Sequence, residues 1–124
     1  MFFKRIRRTP TQRLQFGEMC FCGEQKGAIE DEFKARLLGA KLFTSEVKEA
    51  YLMRVRYSGE SSENVALCLI SDTGKDKELV RKIGDIFQAI FSADANLDTI
   101  FLEHQYWKQV RSIASPFFKR NEND

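Results

Sequence analysis

Three thiols and one imidazole are the most reactive side chains in this sequence, and Cys20 and Cys22 stand closest together. At i and i+2 they share a face if their segment is a strand. Such a pair could ligate a soft metal or carry sulfur. In a ferredoxin-like sheet the first and third strands are neighbours, which would bring Cys68 close, and His104 could add a fourth ligand if the chain end folded over the same site. Against this, tetrahedral zinc sites draw on Cys-x-x-Cys pairs, and Cys-x-Cys gives a cramped bite. Buried cysteine behaves mostly as a small hydrophobe. The expectation is therefore core packing, no metal and no cofactor, with a thiol site at Cys20 and Cys22 as the alternative.

The other candidates divide in the same way. His104 follows Glu103 and could act as a general base, but the sequence identifies no nucleophile within its reach. Asp72-Thr73-Gly74-Lys75 lacks the Gly-x-x-x-x-Gly-Lys spacing of a phosphate loop and reads as a turn leading to a helix cap. Arg54 and Arg56 lie on one face of a predicted strand, where they could recognise acidic groups. Their Tyr neighbours point the other way, so no stacked platform for single-stranded nucleic acid forms. Tyr106, Trp107 and Phe118, with Phe101 and Phe117, make an aromatic set that could anchor a protein interface, although core packing is the expected role for most of it.

The elements that must position these residues emerge from periodicity. Leu14 to Cys22 reads as a short, bulged strand closed by Gly23. From Gly27 the spacing turns helical, with Ile29, Phe33 and Leu37 on one stripe and Gly39 as the C-cap. Val47 to Tyr57 alternates as a half-exposed strand, Ser58 to Asn64 is a hairpin loop, and Val65 to Ile70 is an apolar run suited to burial on both faces. Residues 75–92 carry the strongest pattern, a wide stripe of Leu79, Val80, Ile83, Ile86, Phe87, Ile90 and Phe91. Leu97 to Leu102 gives a short strand and Glu103 to Ala114 a last helix, which Pro116 stops. Phe117 and Phe118 then require that the chain end dock on the core.

The order β-α-β-β-α-β-α implies an α+β single-domain sandwich, a four-stranded, mainly antiparallel sheet with helices packed on it, and a ferredoxin-like arrangement is its simplest version. With 124 residues, 43% of them hydrophobic, the chain has material for one core. Twenty Lys and Arg against 18 Asp and Glu leave +2, which argues against a dedicated nucleic-acid binder. Residues 1–13 form a basic arm holding Lys4, Arg5, Arg7, Arg8 and Arg13 and no acid, expected to be flexible, and residues 121–124 a free tail. No apolar run is long enough to span a bilayer, and the first ten residues lack a signal peptide's apolar region. Three cysteines, an odd number, fit a reducing compartment. The expected location is cytoplasmic.

Five short segments, in order, carry a family resemblance: Leu14-Gln15-Phe16-Gly17, Val47-Lys48-Glu49-Ala50-Tyr51-Leu52, Leu67-Cys68-Leu69-Ile70, Leu97-Asp98-Thr99-Ile100 and Ser115-Pro116-Phe117-Phe118-Lys119-Arg120. With these, residues 14–120 resemble the C-terminal domain of the SseB-like family, the enhanced-serine-sensitivity proteins of bacteria. Family members end in Pro-Phe-Tyr, and here Phe118 stands where the Tyr would, so a hydroxyl is missing. Related proteins commonly carry an N-terminal partner domain, so this chain looks like a single-domain member or an excised piece. The resemblance implies an accessory or regulatory role without a catalytic motif.

The expected function is a non-catalytic protein-interaction or regulatory module, with Arg54, Arg56, Tyr106, Trp107 and Phe118 as partner-binding residues. Two alternatives stand beside it. One is a thiol-dependent activity related to sulfur transfer, through Cys20 and Cys22. The other is an immunity-type protein that binds a single partner toxin. A homodimer would be expected if one sheet face were left open.

Overall fold

A computed structural model of the chain describes residues 19–44, 46–57, 59, 63–91 and 97–120. Its spine is a pair of central strands, β2 (Val47–Tyr57) and β3 (Asn64–Ser71), in antiparallel register. β1 (Met19–Glu24) pairs antiparallel with the far half of β2, and β4 (Asp98–Phe101) pairs parallel with β3. The parallel pair needs a crossover, and helix α2 (Lys77–Ile90) supplies it. Helix α1 (Ala28–Gly39) joins β1 to β2, and α3 (His104–Ile113) comes after β4. The chain end returns as a two-residue strand, β5 (Phe118–Lys119), along the near half of β2.

The element order and the α+β class are those read from the sequence, with β5 added. The strand order is β1-β2-β3-β4, so β2 separates β1 from β3 and the ferredoxin-like version, which would have made them neighbours, is not adopted. The predicted arm at 1–13, the strand start at 14–18, the tail at 121–124 and most of the 58–64 loop lie outside the described residues. β2 is also less exposed than its alternation suggests, because both of its faces are covered as far as Met53, and only toward Arg54 and Arg56 does one face open.

Two apolar layers hold the sheet. On one face, Ala50, Leu52, Val65, Leu67 and Leu69 meet Phe33 and Leu37 of α1 and Leu79, Ile83 and Phe87 of α2. On the other, Tyr51, Met53, Val55, Ala66, Cys68 and Ile100 form a second layer, which Val110 of α3 joins. These residues are buried, whereas at the far end of the sheet Cys20 and Arg56, on the face of the first layer, are exposed. Tyr57 on this side donates its hydroxyl to Asp98, satisfying a buried carboxylate.

Helix boundaries show where local chemistry decides. Asp76 caps α2, its carboxylate accepting the N–H groups of Glu78 at 3.0 Å and Leu79 at 3.2 Å. On α1 the buried stripe is Glu30, Phe33 and Leu37, while Ile29 is 38% exposed. Gly39 is the last helical residue and not the cap: Ala40 caps the helix, and Lys41 takes the left-handed conformation at φ 56°.

Glu30 replaces Ile29 on the stripe because its carboxylate folds back over Gly27 and accepts Gln25 Nε2–H at 2.8 Å. A Cβ on Gly27 would sit 2.2 Å from Glu30 Oε1, at a φ of +156° that L side chains rarely adopt. Gly27→Ala should therefore lower stability by about 2 to 3 kcal/mol, the cost of expelling a buried hydrogen-bonded carboxylate plus backbone strain. A urea melt measures it. Adding Glu30→Ala removes the clash, so the double variant should lose less than the sum of the two single changes.

Candidate functional site

The polar centre of the molecule is built by one extra residue in β2. Register runs Val47 to Ser71 and then Glu49 to Ile70, so Lys48 is a bulge that re-aims the residues after it. Val47 and Ala50 consequently both face α1 and α2. Glu49 is turned with Tyr51 toward α3.

Glu49 is buried, with a side chain 8% exposed, yet fully partnered. Arg111 of α3 grips it in a two-point fork, Nε to Oε1 at 3.0 Å and Nη2 to Oε2 at 2.7 Å. The Tyr51 hydroxyl donates to the same carboxylate. Burial pushes the Glu49 carboxyl up, but the hydrogen bonds from Arg111 and Tyr51, with the charges of Arg111 and Lys119, outweigh it and hold it below its usual value. Burial and the neighbouring carboxylate raise the Tyr51 phenol, and Glu49 raises Arg111 further. The cluster is thus an ionised, saturated ion pair.

Trp107 stands beside it in a shell of cations. Its Nε1–H donates to Leu102 O at 3.0 Å, which pins the ring half-buried. The Lys48 ammonium and the Arg111 guanidinium each lie 5.5 Å from the ring centre, within cation–π range, and the His104 ring lies 4.5 Å away. Lys48 also reaches Asp72 at 3.5 Å, and Arg120 meets that carboxylate at 3.0 Å. Arg120's hydrogen bond, ahead of its charge and that of Lys48, holds Asp72 below the ordinary carboxylate value.

β5 completes the site. Phe117 N–H donates to Ala50 O at 2.9 Å and Arg120 N–H to Lys48 O at 2.7 Å, placing Lys119 opposite Glu49 and Phe118 opposite Ala50. A surface cleft of about 280 Å³ opens between Glu49, Tyr51, Arg111, Ser115, Pro116 and Lys119. From His104 to Arg120 the sequence holds Lys108, Arg111, Lys119 and Arg120 and no acid. Chemically, this segment is a ledge beside an indole on which Arg111 and Arg120 are engaged by Glu49 and Asp72, while Lys108 and Lys119 are the exposed charges that an anionic group would meet.

The residues singled out from the sequence fall in three places. Trp107 lies on the ledge. Tyr106 instead meets Phe21 edge-on at 5.9 Å and ties α3 to β1. Phe118 lies across the sheet, 5.1 Å from the Phe43 ring, so it does not share a surface with Trp107. Arg54 and Arg56 are at the far end of β2, where Arg54 pairs with Glu63 at 3.3 Å and Arg56 lies opposite Cys20. Cys20 faces the same way as Arg56, and Cys22 falls at the register shift between Phe21 and Gly23, where its thiol donates to Cys20 O at 3.6 Å.

Cys68 is not near that pair, because β2 intervenes and its side chain is in the opposite layer. Burial and Asp98 raise its thiol. Burial, Glu63 and Cys20 push the Cys22 thiol up to about 11, away from the thiolate that nucleophilic sulfur requires. His104 is on the ledge and not beside the thiols. Among the described residues, no three His, Cys, Asp or Glu side chains come together as a metal-binding group.

Sequence reasoning missed Glu49, Tyr51, Lys48, Arg111 and Lys119. The signals available were a carboxylate inside the apolar strand 47–57 and the acid-free run after Glu103.

Fold and site together define an α+β domain whose sheet carries an apolar layer on each face and whose chain end folds back to build a basic aromatic ledge. Residues 30–120 match the family model of the SseB protein C-terminal domain, and the chain belongs to that family. No curated protein and no solved structure matches it. No helix among the described residues is long and apolar enough to cross a membrane.

Proposed function

We propose that the protein is a non-catalytic protein-interaction module with a regulatory role, working in the cytoplasm through the α3–β5 ledge. One observation carries the reading: a half-buried Trp held among Lys48, Arg111 and His104, on a segment, His104 to Arg120, with four cations and no acid. Trp and Arg in such settings dominate binding energies at protein interfaces. The indole faces the cations of its own chain, which leaves it poorly disposed to stack on bases and favours carboxylates of a protein partner over nucleic acid. Three free thiols fit a reducing compartment.

The test is capture from nuclease-treated lysate of the source, comparing wild type with two pairs of exposed charge reversals. Lys108→Glu with Lys119→Glu should cut recovery of a stoichiometric partner at least about tenfold, roughly 1.4 kcal/mol. Arg54→Glu with Arg56→Glu should leave it unchanged. The opposite pattern would move the working surface to the β1–β2 end. Capture of nothing specific would defeat the interaction role, and iodoacetamide labelling of Cys20 would then test the thiol alternative.

A further inference from the structure

The geometry points to strand addition: an extended peptide segment of the partner, alternating acidic and apolar side chains, pairs with the outer edge of β5. This inference rests on the interaction role proposed above and specifies how the ledge is used.

Three observations converge on that edge. First, among the described strands β5 pairs only with β2. Arg120 N–H reaches Lys48 O, which makes Glu49 and Lys119 a non-hydrogen-bonded pair and turns the N–H and C=O of Lys119 away from β2. An incoming residue opposite Lys119 can bond to both.

Second, the two faces of β5 are flanked by recesses of different chemistry. Lys119 borders the polar cleft with Ser115 and Arg111, the Glu49 carboxylate of that cleft being already held by Arg111 and Tyr51. Phe118, on the other face, borders a mainly apolar groove of about 300 Å³ with Leu37, Leu38 and Phe43, where Leu38 is 40% exposed and Lys41 supplies a charge. A strand added about 4.8 Å away sends alternate side chains to opposite faces. Its residue opposite Lys119 therefore meets cations, and its neighbours meet the apolar groove.

Third, charge selects the occupant. Lys119 and the exposed part of Arg111 attract a carboxylate at the central position. A second copy of this chain adding its own β5 antiparallel would set Lys119 against Lys119, a like-charge pair that opposes self-assembly. The partner is thus an acidic, β-forming segment of another protein.

A displayed library of random linear peptides, panned on the full chain, tests this without knowledge of the partner. Enriched peptides should alternate acidic and apolar residues with a period of two. A synthetic copy of the best should lose at least tenfold in affinity when its central amide is N-methylated, and its binding should slow hydrogen exchange at the Lys119 amide at least tenfold. Helical spacing in the enriched peptides, or equal binding of the N-methylated copy, overturns strand addition. So does a peptide-independent dimer that Lys119→Pro abolishes. If no peptide is enriched while lysate capture still depends on Lys108 and Lys119, strand addition fails and the interaction role stands. If capture fails as well, both fail.

Discussion

Phe33→Ala should lower the unfolding free energy by about 3 to 5 kcal/mol, the usual cost of deleting a fully buried ring and leaving its cavity. Phe33 is 0% exposed and joins both helices of its layer: Phe87 meets it edge-on at 5.6 Å and Phe91 at 5.9 Å, while those two rings stack at 4.5 Å. α1 leans heavily on this contact, because its other buried positions are Leu37 and a carboxylate. Against a total stability of roughly 5 to 15 kcal/mol, the loss would leave α1 poorly held. A guanidinium melt gives the number, and amide exchange should show faster opening in α1 than in β3. Phe33→Leu, which keeps most of the volume, should cost less than half as much. A Phe33→Ala loss under about 1 kcal/mol would mean that α1 is held by something other than this cluster.

How far the sequence reveals this architecture depends on how local each determinant is. α2 is legible because Leu79, Ile83 and Phe87 recur at helical spacing and all three are buried. β3 is legible because apolar residues fill both of its faces. α1 is legible as a helix, but its buried face begins at Glu30, since Gly27 and Gln25 make room and a partner for the carboxylate, and no hydropathy pattern records that. β2 reads as half-exposed because Arg54 and Arg56 end it, whereas cover from both sides is a tertiary fact. Strand order is less legible still. The same β-α-β-β-α-β-α string allows β1 beside β2 or β1 beside β3, and only the packed structure places it on β2.

The site obeys the same rule more severely. Glu49 and Arg111 are 62 residues apart, and the Lys48 bulge that turns Glu49 inward has no signature in composition. β5 is two residues long and comes after Pro116, too short for any periodicity. Trp107 is visible in the sequence because Trp is an interface residue by type. Its cation shell comes from β2 and the next turn of α3, so it forms only when those elements meet. The thiols show the converse: Cys20 and Cys22 offer the richest chemistry by residue type, and the fold gives Cys22 a raised pKa and keeps Cys68 away.

Removing Arg111 should be the most damaging single change to the site. In Arg111→Ala the Glu49 carboxylate keeps its burial and loses both guanidinium bonds, with only Tyr51 and the more distant Lys119 left to support the charge. Breaking one side of a fully buried pair costs about 3 to 5 kcal/mol. The Arg111 side chain is 44% exposed, which admits water to the vacated space, so about 2 to 3 kcal/mol is expected here. The pH dependence separates this from a simple packing loss. In the wild type the folded carboxyl lies below its usual value of 4.5, so the pair's contribution is complete at neutral pH and is lost as the pH falls below about 4.5. In the variant, burial without the fork raises the folded carboxyl above that value, so the penalty is full at neutral pH and is relieved as protonation sets in. The stability gap between wild type and Arg111→Ala should therefore be widest near about pH 7 and close toward about pH 4. A second change, Glu49→Gln, removes the buried charge, so Arg111→Ala made in that background should cost well under the roughly 2 to 3 kcal/mol expected alone and show no such narrowing. A gap that stayed constant across that range would mean that Arg111 acts only through its contacts with Trp107, and that Glu49 is not held ionised by it.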